Sequence, residues 1–194
     1  SVTVPGSGNE FGAIFWPSTE LVGSVDLTDL PAIWDDKTTV LGRAFPNDMD
    51  GDGYSDIVAR IGYGAQGIFL GPFEDSRSAS QPDVRFEFEQ ADDLVNAGDI
   101  NGDGTLDLFF VATGEEVGPE LDNSMVVYAG PFEGVVSRDS YDARLSSEGG
   151  PFSGRGRVAD LNDNGRDEVI LGAISDSTHG DDAGAVYVIE GYSF

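Results

Sequence analysis

The sequence predicts an all-β protein built from recurring strand units, and three observations carry that prediction. Its apolar residues fall in short runs, rich in β-branched and aromatic side chains and bounded by Gly, Pro, Asn or Asp. No window shows a convincing 3.6-residue periodicity. One nine-residue acidic pattern occurs three times, each time directly ahead of an apolar run.

In chain order the strand runs include Ile57-Val58-Ala59, Gly67-Ile68-Phe69-Leu70, Leu106 to Ala112, Met125-Val126-Val127-Tyr128, Val169-Ile170-Leu171 and Ala185-Val186-Tyr187-Val188-Ile189. Asp142 to Glu148 reads equally as a helical turn or a strand edge. None of these runs approaches the roughly 20 apolar residues of a membrane-spanning helix, so no membrane insertion is expected.

The acidic pattern starts at Asp48, Asp99 and Asp160, spacings of 51 and 61 residues. A second marker follows each loop: Gly71-Pro72-Phe73-Glu74, Gly130-Pro131-Phe132-Glu133 and the weaker Glu190-Gly191-Tyr192. Markers recurring at similar offsets mean a structural repeat, close in length to a propeller blade. The N-terminal stretch fits the same register partway through a unit, with Trp16 at the second marker. The expected units are 1–38, 39–90, 91–148 and 149–194 of a single domain. With the acidic loop between first and second strands, they hold three, four, four and three strands. That amounts to about 3.5 blades of four antiparallel strands.

Each loop reads D-x-[DN]-x-[DN]-G-x-x-[DE]. The oxygens at positions 1, 3 and 5 converge when the chain curls, Gly at position 6 permits the sharp turn, position 7 offers its backbone carbonyl, and position 9 closes with a carboxylate. The expected ligands are Asp48, Asp50, Asp52, the Tyr54 carbonyl and Asp56 in the first loop. In the second they are Asp99, Asn101, Asp103, the Thr105 carbonyl and Asp107. In the third they are Asp160, Asn162, Asn164, the Arg166 carbonyl and Glu168. Hard oxygen donors without His or Cys suit Ca²⁺, and three sites are expected. An EF-hand is set aside, because position 12 is Ala59, Phe110 or Leu171 and lies in a strand run, not at a bidentate Glu before a helix.

These residues resemble the FG-GAP repeats of β-propellers such as integrin α-subunits. The closest correspondence is Phe152-Ser153-Gly154, then Asp160 to Glu168, then Val169 to Ile174, then Gly184 to Val188. Ser153 interrupts the Phe-Gly pair, and Ile174 stands where the family has the proline of Gly-Ala-Pro. The resemblance spans nearly the whole chain and implies four-stranded blades with structural calcium. It leaves the partner open.

Composition narrows the function. Against 36 acidic residues stand ten Lys and Arg, a formal charge of −26 that repels nucleic acid and anionic membrane surfaces alike. With no Cys there is no disulfide, so cysteine usage does not assign a compartment. The N-terminus has no basic and apolar signal-peptide regions, so a leader is either lacking or already removed.

Few other residues invite chemistry. His179 is the lone histidine and reads as an exposed hairpin-loop residue rather than a base or ligand. No nucleophile–base pair and no G-x-S-x-G elbow is present. A glycosidase carboxylate pair stays open among so many acids. Gly149 to Arg157 reads as a turn entering a strand, not a phosphate cradle. Trp16, Trp34, Tyr63 and Tyr141 read as packing residues before sugar platforms, and Glu115 to Asn123 as a long solvated loop.

The expectation is a non-enzymatic, calcium-binding propeller segment of a secreted or cell-surface protein. It would serve adhesion, protein or glycan binding, or structure. The rivals are a polysaccharide lyase or hydrolase on the same scaffold and a purely architectural spacer. Because 3.5 blades leave open ends, either a longer chain or a homodimer would complete the ring.

Overall fold

A computed structural model describes residues 40–61, 65–73, 78, 80–87, 92–112, 124–146, 152 and 156–192. They form twelve strands: β1 (Val40–Asn47), β2 (Asp56–Ile61), β3 (Ala65–Phe69), β4 (Val84–Glu87), β5 (Asp92–Gly98), β6 (Asp107–Ala112), β7 (Ser124–Tyr128), β8 (Gly134–Ser137), β9 (Ala143–Ser146), β10 (Gly156–Ala159), β11 (Glu168–Ala173) and β12 (Ala185–Ile189). The only helical piece among the described residues is a 3-10 turn at Arg138–Ser140. No helix among them is long and apolar enough to cross a membrane. The all-β expectation holds, and within the open Asp142 to Glu148 segment Ala143–Ser146 form strand β9.

The strands form three open sheets ordered β1-β2-β3-β4-β8, β5-β6-β7-β9 and β10-β11-β12. The strand sets expected of the last three units recur within them, and consecutive strands pair antiparallel. The N-terminal set, with Trp16 and Trp34, lies outside the described residues, as do Tyr63 and residues 115–123.

One departure from four antiparallel strands is clear. The connection between β7 and β9 sends β8 to the outer edge of the preceding sheet, where it pairs with β4 in parallel, Val84 opposite Gly134 and Phe86 opposite Val136. An edge strand presents unpaired N–H and C=O groups, and β8 covers those of β4. Sequence patterning misses β8 because only Val136 of its four residues is even half-buried and Val135 is 63% exposed.

Side-chain alternation places the core between sheets. In the second sheet Leu108, Phe110, Val126 and Tyr128 pack with Val58, Ile68, Val84 and Phe86 of the first. Their neighbours Phe109, Val111, Met125 and Val127 point the opposite way, onto Val169, Leu171 and Ala173 of the third. Both faces of the second sheet are therefore buried, which is why β6 after Asp107 and β7 after Ser124 run apolar instead of alternating. Aromatic edges fill the first interface: the Phe86 ring lies 5.6 Å from Phe110, 5.8 Å from Tyr128 and 5.3 Å from Phe132. Removing Phe110 to Ala from such a site costs about 3–5 kcal/mol. Phe132 and Phe73, the phenylalanines of the second marker, both pack on core clusters, as does Tyr141. Phe152 is buried edge-on against Tyr187, and the chain then enters β10 at Gly156.

Candidate metal centres

Each acidic loop joins the first and second strands of a sheet: 48–55 between β1 and β2, 99–106 between β5 and β6, 160–167 between β10 and β11. The three share one internal scheme. The position 1 carboxylate accepts the position 6 N–H, at 3.0 Å for Asp48 and Gly53, 2.9 Å for Asp99 and Gly104, and 2.9 Å for Asp160 and Gly165. Position 5 caps position 7: Asp52 accepts from Tyr54 N, Asp103 from Thr105 N and Asn164 from Arg166 N, each at 2.8 Å. Position 6 is left-handed in all three loops, with φ of 90°, 88° and 81°, as the turn argument requires. Position 4 is left-handed as well, at Gly51, Gly102 and Asp163. Asp tolerates that conformation better than most residues, which explains the one non-glycine.

Position 9 is the anchor. Its carboxylate accepts the position 2 N–H in every loop: Met49 to Asp56 at 2.6 Å, Ile100 to Asp107 at 3.0 Å and Leu161 to Glu168 at 2.8 Å. In the first two units the other oxygen accepts from the second marker, Gly71 N to Asp56 at 2.8 Å and Gly130 N to Asp107 at 3.1 Å. The two markers found separately in the sequence are thus one structural unit. The close approach demands glycine: a Cβ on Gly71 would lie 3.0 Å from the Ser55 carbonyl, and one on Gly130 2.5 Å from that of Leu106.

The first loop brings Asp48, Asp50 and Asp56 together, with one carboxylate oxygen of each within 4.8 Å of the others, an arrangement that could hold a metal ion. It is the one such acidic trio among the described residues. Asp52 stays outside it, its carboxylate engaged with Tyr54 N. In the second loop Asp103 is likewise engaged, by the Thr105 hydroxyl at 2.6 Å and the Asn101 amide at 3.0 Å. In the third, the Asn162 amide donates to Glu168 at 3.0 Å.

The electrostatics split by position. Burial pushes Asp56 and Asp107 up from the ordinary carboxylate value, Asp107 to about 6 despite three N–H donors. The Thr105 hydroxyl and amide hold Asp103 down, and the Gly165 N–H holds Asp160 down. A dication beside Asp56 or Asp107 would reverse the cost of their burial, because it favours the charged form.

His179 is exposed in the β11–β12 hairpin, as expected. That hairpin is pinned by buried Asp176, which accepts the Tyr187 hydroxyl at 2.5 Å and Thr178 N at 2.9 Å. Sequence reading missed Asp83 and Asp142, which accept Leu70 N and Ala129 N, both at 2.9 Å. Each lies twelve residues after its marker glycine, a repeat signal that was there to find. It also missed Asp167, whose partner is 68 positions away in the sequence.

Comparison with protein-family models gives no match, and neither does comparison with curated proteins.

Proposed function

We propose that this chain is a calcium-binding β-propeller segment of the FG-GAP kind, acting as a binding or structural module of a secreted or cell-surface protein. The observation that carries the calcium reading is the oxygen-only trio of Asp48, Asp50 and Asp56 inside a loop whose hydrogen-bond scheme is repeated twice more. The residues that would hold the ion are positions 1, 3, 5 and 9 of each loop, with the carbonyls of Tyr54, Thr105 and Arg166. The ion would supply charge compensation and lock the turn.

The propeller reading is supported by sheets stacked face to face in chain order, and by β5 lying next to both β1 and β10, as inner strands around one axis would. On the outer face of the third sheet, Val186 and Val188 are exposed, and Ile174 beside them is 76% exposed. A further sheet would stack there, from a longer chain or a second copy. A protein or glycan partner fits this reading better than an anionic one, given the −26 charge.

Calorimetric calcium titration tests the metal claim, with melting measured in calcium and in excess chelator. Saturation at about 100 times Kd stabilises by roughly 2.7 kcal/mol per site, so chelation should lower the melting temperature markedly. An unchanged melt and no heat of binding would leave the loops as ordinary turns.

A further inference from the structure

The second and third loops touch, and the contact is reciprocal. Asp99 N donates to the Asp167 carboxylate at 2.9 Å, and Asp167 N donates back to the Asp99 carbonyl at 2.8 Å. Asp99 is position 1 of the second loop. Asp167 is position 8 of the third, between Arg166 and Glu168, the two residues that close that loop. Further atoms pack at the same junction. The Arg166 side chain lies over Gly102, its Cγ 2.7 Å and Nε 3.0 Å from where a Cβ on that glycine would sit. Gly191 fits between the loops, since a Cβ there would lie 2.6 Å from the Ile100 carbonyl and 2.7 Å from the Asp167 carbonyl. Gly98, just before the second loop, leaves room for the Asp167 carboxylate, 2.6 Å from its would-be Cβ.

Position 8 has no ligand role in the loop pattern, so a carboxylate there needs another reason. The first and second loops carry Ser55 and Leu106 at that position, and neither has a carboxylate to receive an N–H from a neighbouring loop. A cation in the third loop would fix the Arg166 carbonyl and Glu168, and with them the backbone of Asp167. That backbone and its carboxylate hold both polar backbone groups of Asp99, the leading ligand of the second loop.

We infer that Asp167 is a positioning residue that couples cation binding in the third loop to cation binding in the second, so that filling one favours the other. This rests on the calcium reading above. The first loop carries no such clamp toward the second, because Leu106 takes the place of Asp167, and it should fill independently.

The position 6 glycine amides report each loop separately, because each donates to its own position 1 carboxylate. The experiment is a calcium titration of the ¹⁵N-labelled full chain, following Gly53, Gly104 and Gly165. Silencing the third loop with Asp160→Ala should raise the calcium midpoint at Gly104 about tenfold, within the usual span of coupling between sites. The midpoint at Gly53 should not move. In an Asp167→Ala background, adding Asp160→Ala should leave Gly104 where it was. Asp167→Asn, which keeps the backbone amide and one acceptor oxygen, should retain most of the coupling. It also supplies the test if Asp167→Ala fails to fold.

The inference is overturned by a Gly104 midpoint indifferent to Asp160→Ala, by an equal shift at Gly53, or by coupling that persists without Asp167. A fall in the Gly104 midpoint on silencing the third loop would overturn it too, showing that repulsion between the two bound cations dominates. If none of the three glycines responds to calcium, the calcium reading itself fails, which is a separate and visible result.

Discussion

Asp107 separates the two duties of a position 9 carboxylate, holding the loop and holding a cation. It accepts N–H bonds from Ile100, Asn101 and Gly130 at 3.0, 3.2 and 3.1 Å, and it is fully buried. Asp107→Ala removes the two carboxylate oxygens that accept these three bonds. The Ile100 N–H keeps a shared bond to the Gly98 carbonyl at 3.1 Å, so two donors are left without their partner. An orphaned donor costs about 1–3 kcal/mol, and half-exposed Asn101 and Gly130 fall at the lower end, so the gross cost is about 2–4 kcal/mol. Removing a buried charge returns part of this at pH 7.5, leaving about 2 kcal/mol. Asp107→Asn keeps one acceptor oxygen and also sheds the charge, so its cost should be about 0–1 kcal/mol. Urea unfolding in excess chelator measures both, and the expected order is Ala well below Asn, with Asn near native. In calcium the order should change, because neither variant supplies the carboxylate and both should lose the second loop's share of the calcium stabilisation. Equal metal-free losses for Ala and Asn would refute the staple, and an Asn variant as calcium-responsive as native at Gly104 would refute the ligand role.

Other outcomes follow from the same geometry. Because Asp107 is raised in the fold from 3.8 to about 6, its contribution to metal-free stability is fully present below about pH 3.8 and is lost as the pH rises to about 6. With calcium the sign inverts: the ion needs the carboxylate, so second-loop affinity should fall as pH drops below about 6, read by titration at pH 5 and 7. Gly130→Ala should destabilise more than Gly71→Ala, by about 1–3 kcal/mol against about 1, since the new Cβ meets backbone at 2.5 Å in the first case and 3.0 Å in the second. Thermal melts of the two variants compare them directly. Calcium affinity should run first loop over second over third, following four, three and two carboxylates at positions 1, 3, 5 and 9, and a tightest third site by single-loop titration would refute that order.

What the sequence revealed and what it hid divide along sequence distance. The loops were legible because the hydrogen bonds within each of them span seven residues or fewer, so the pattern of Asp, Asn and Gly is the geometry itself, down to the left-handed position 6. The strands β6, β7, β11 and β12 were legible because each is a compact apolar run. The second marker was visible as a repeat, but its purpose was not. Gly130 matters because it donates to Asp107, 23 residues earlier, and because the Leu106 carbonyl leaves no room for a side chain. Strand β8 was hidden because its pairing satisfies another sheet's backbone, which leaves no side-chain pattern of its own. Asp167 was hidden more deeply. It sits inside a motif already explained by calcium, in a chain so acidic that one more carboxylate draws no notice, and its partner is the backbone amide of Asp99, which every residue but proline could supply. A bond from a side chain to a distant backbone N–H constrains only one of its two residues, so it writes half a signal into the sequence. That half is the departure of position 8 from Ser55 and Leu106, and it is the place where the third loop stops being a copy of the other two.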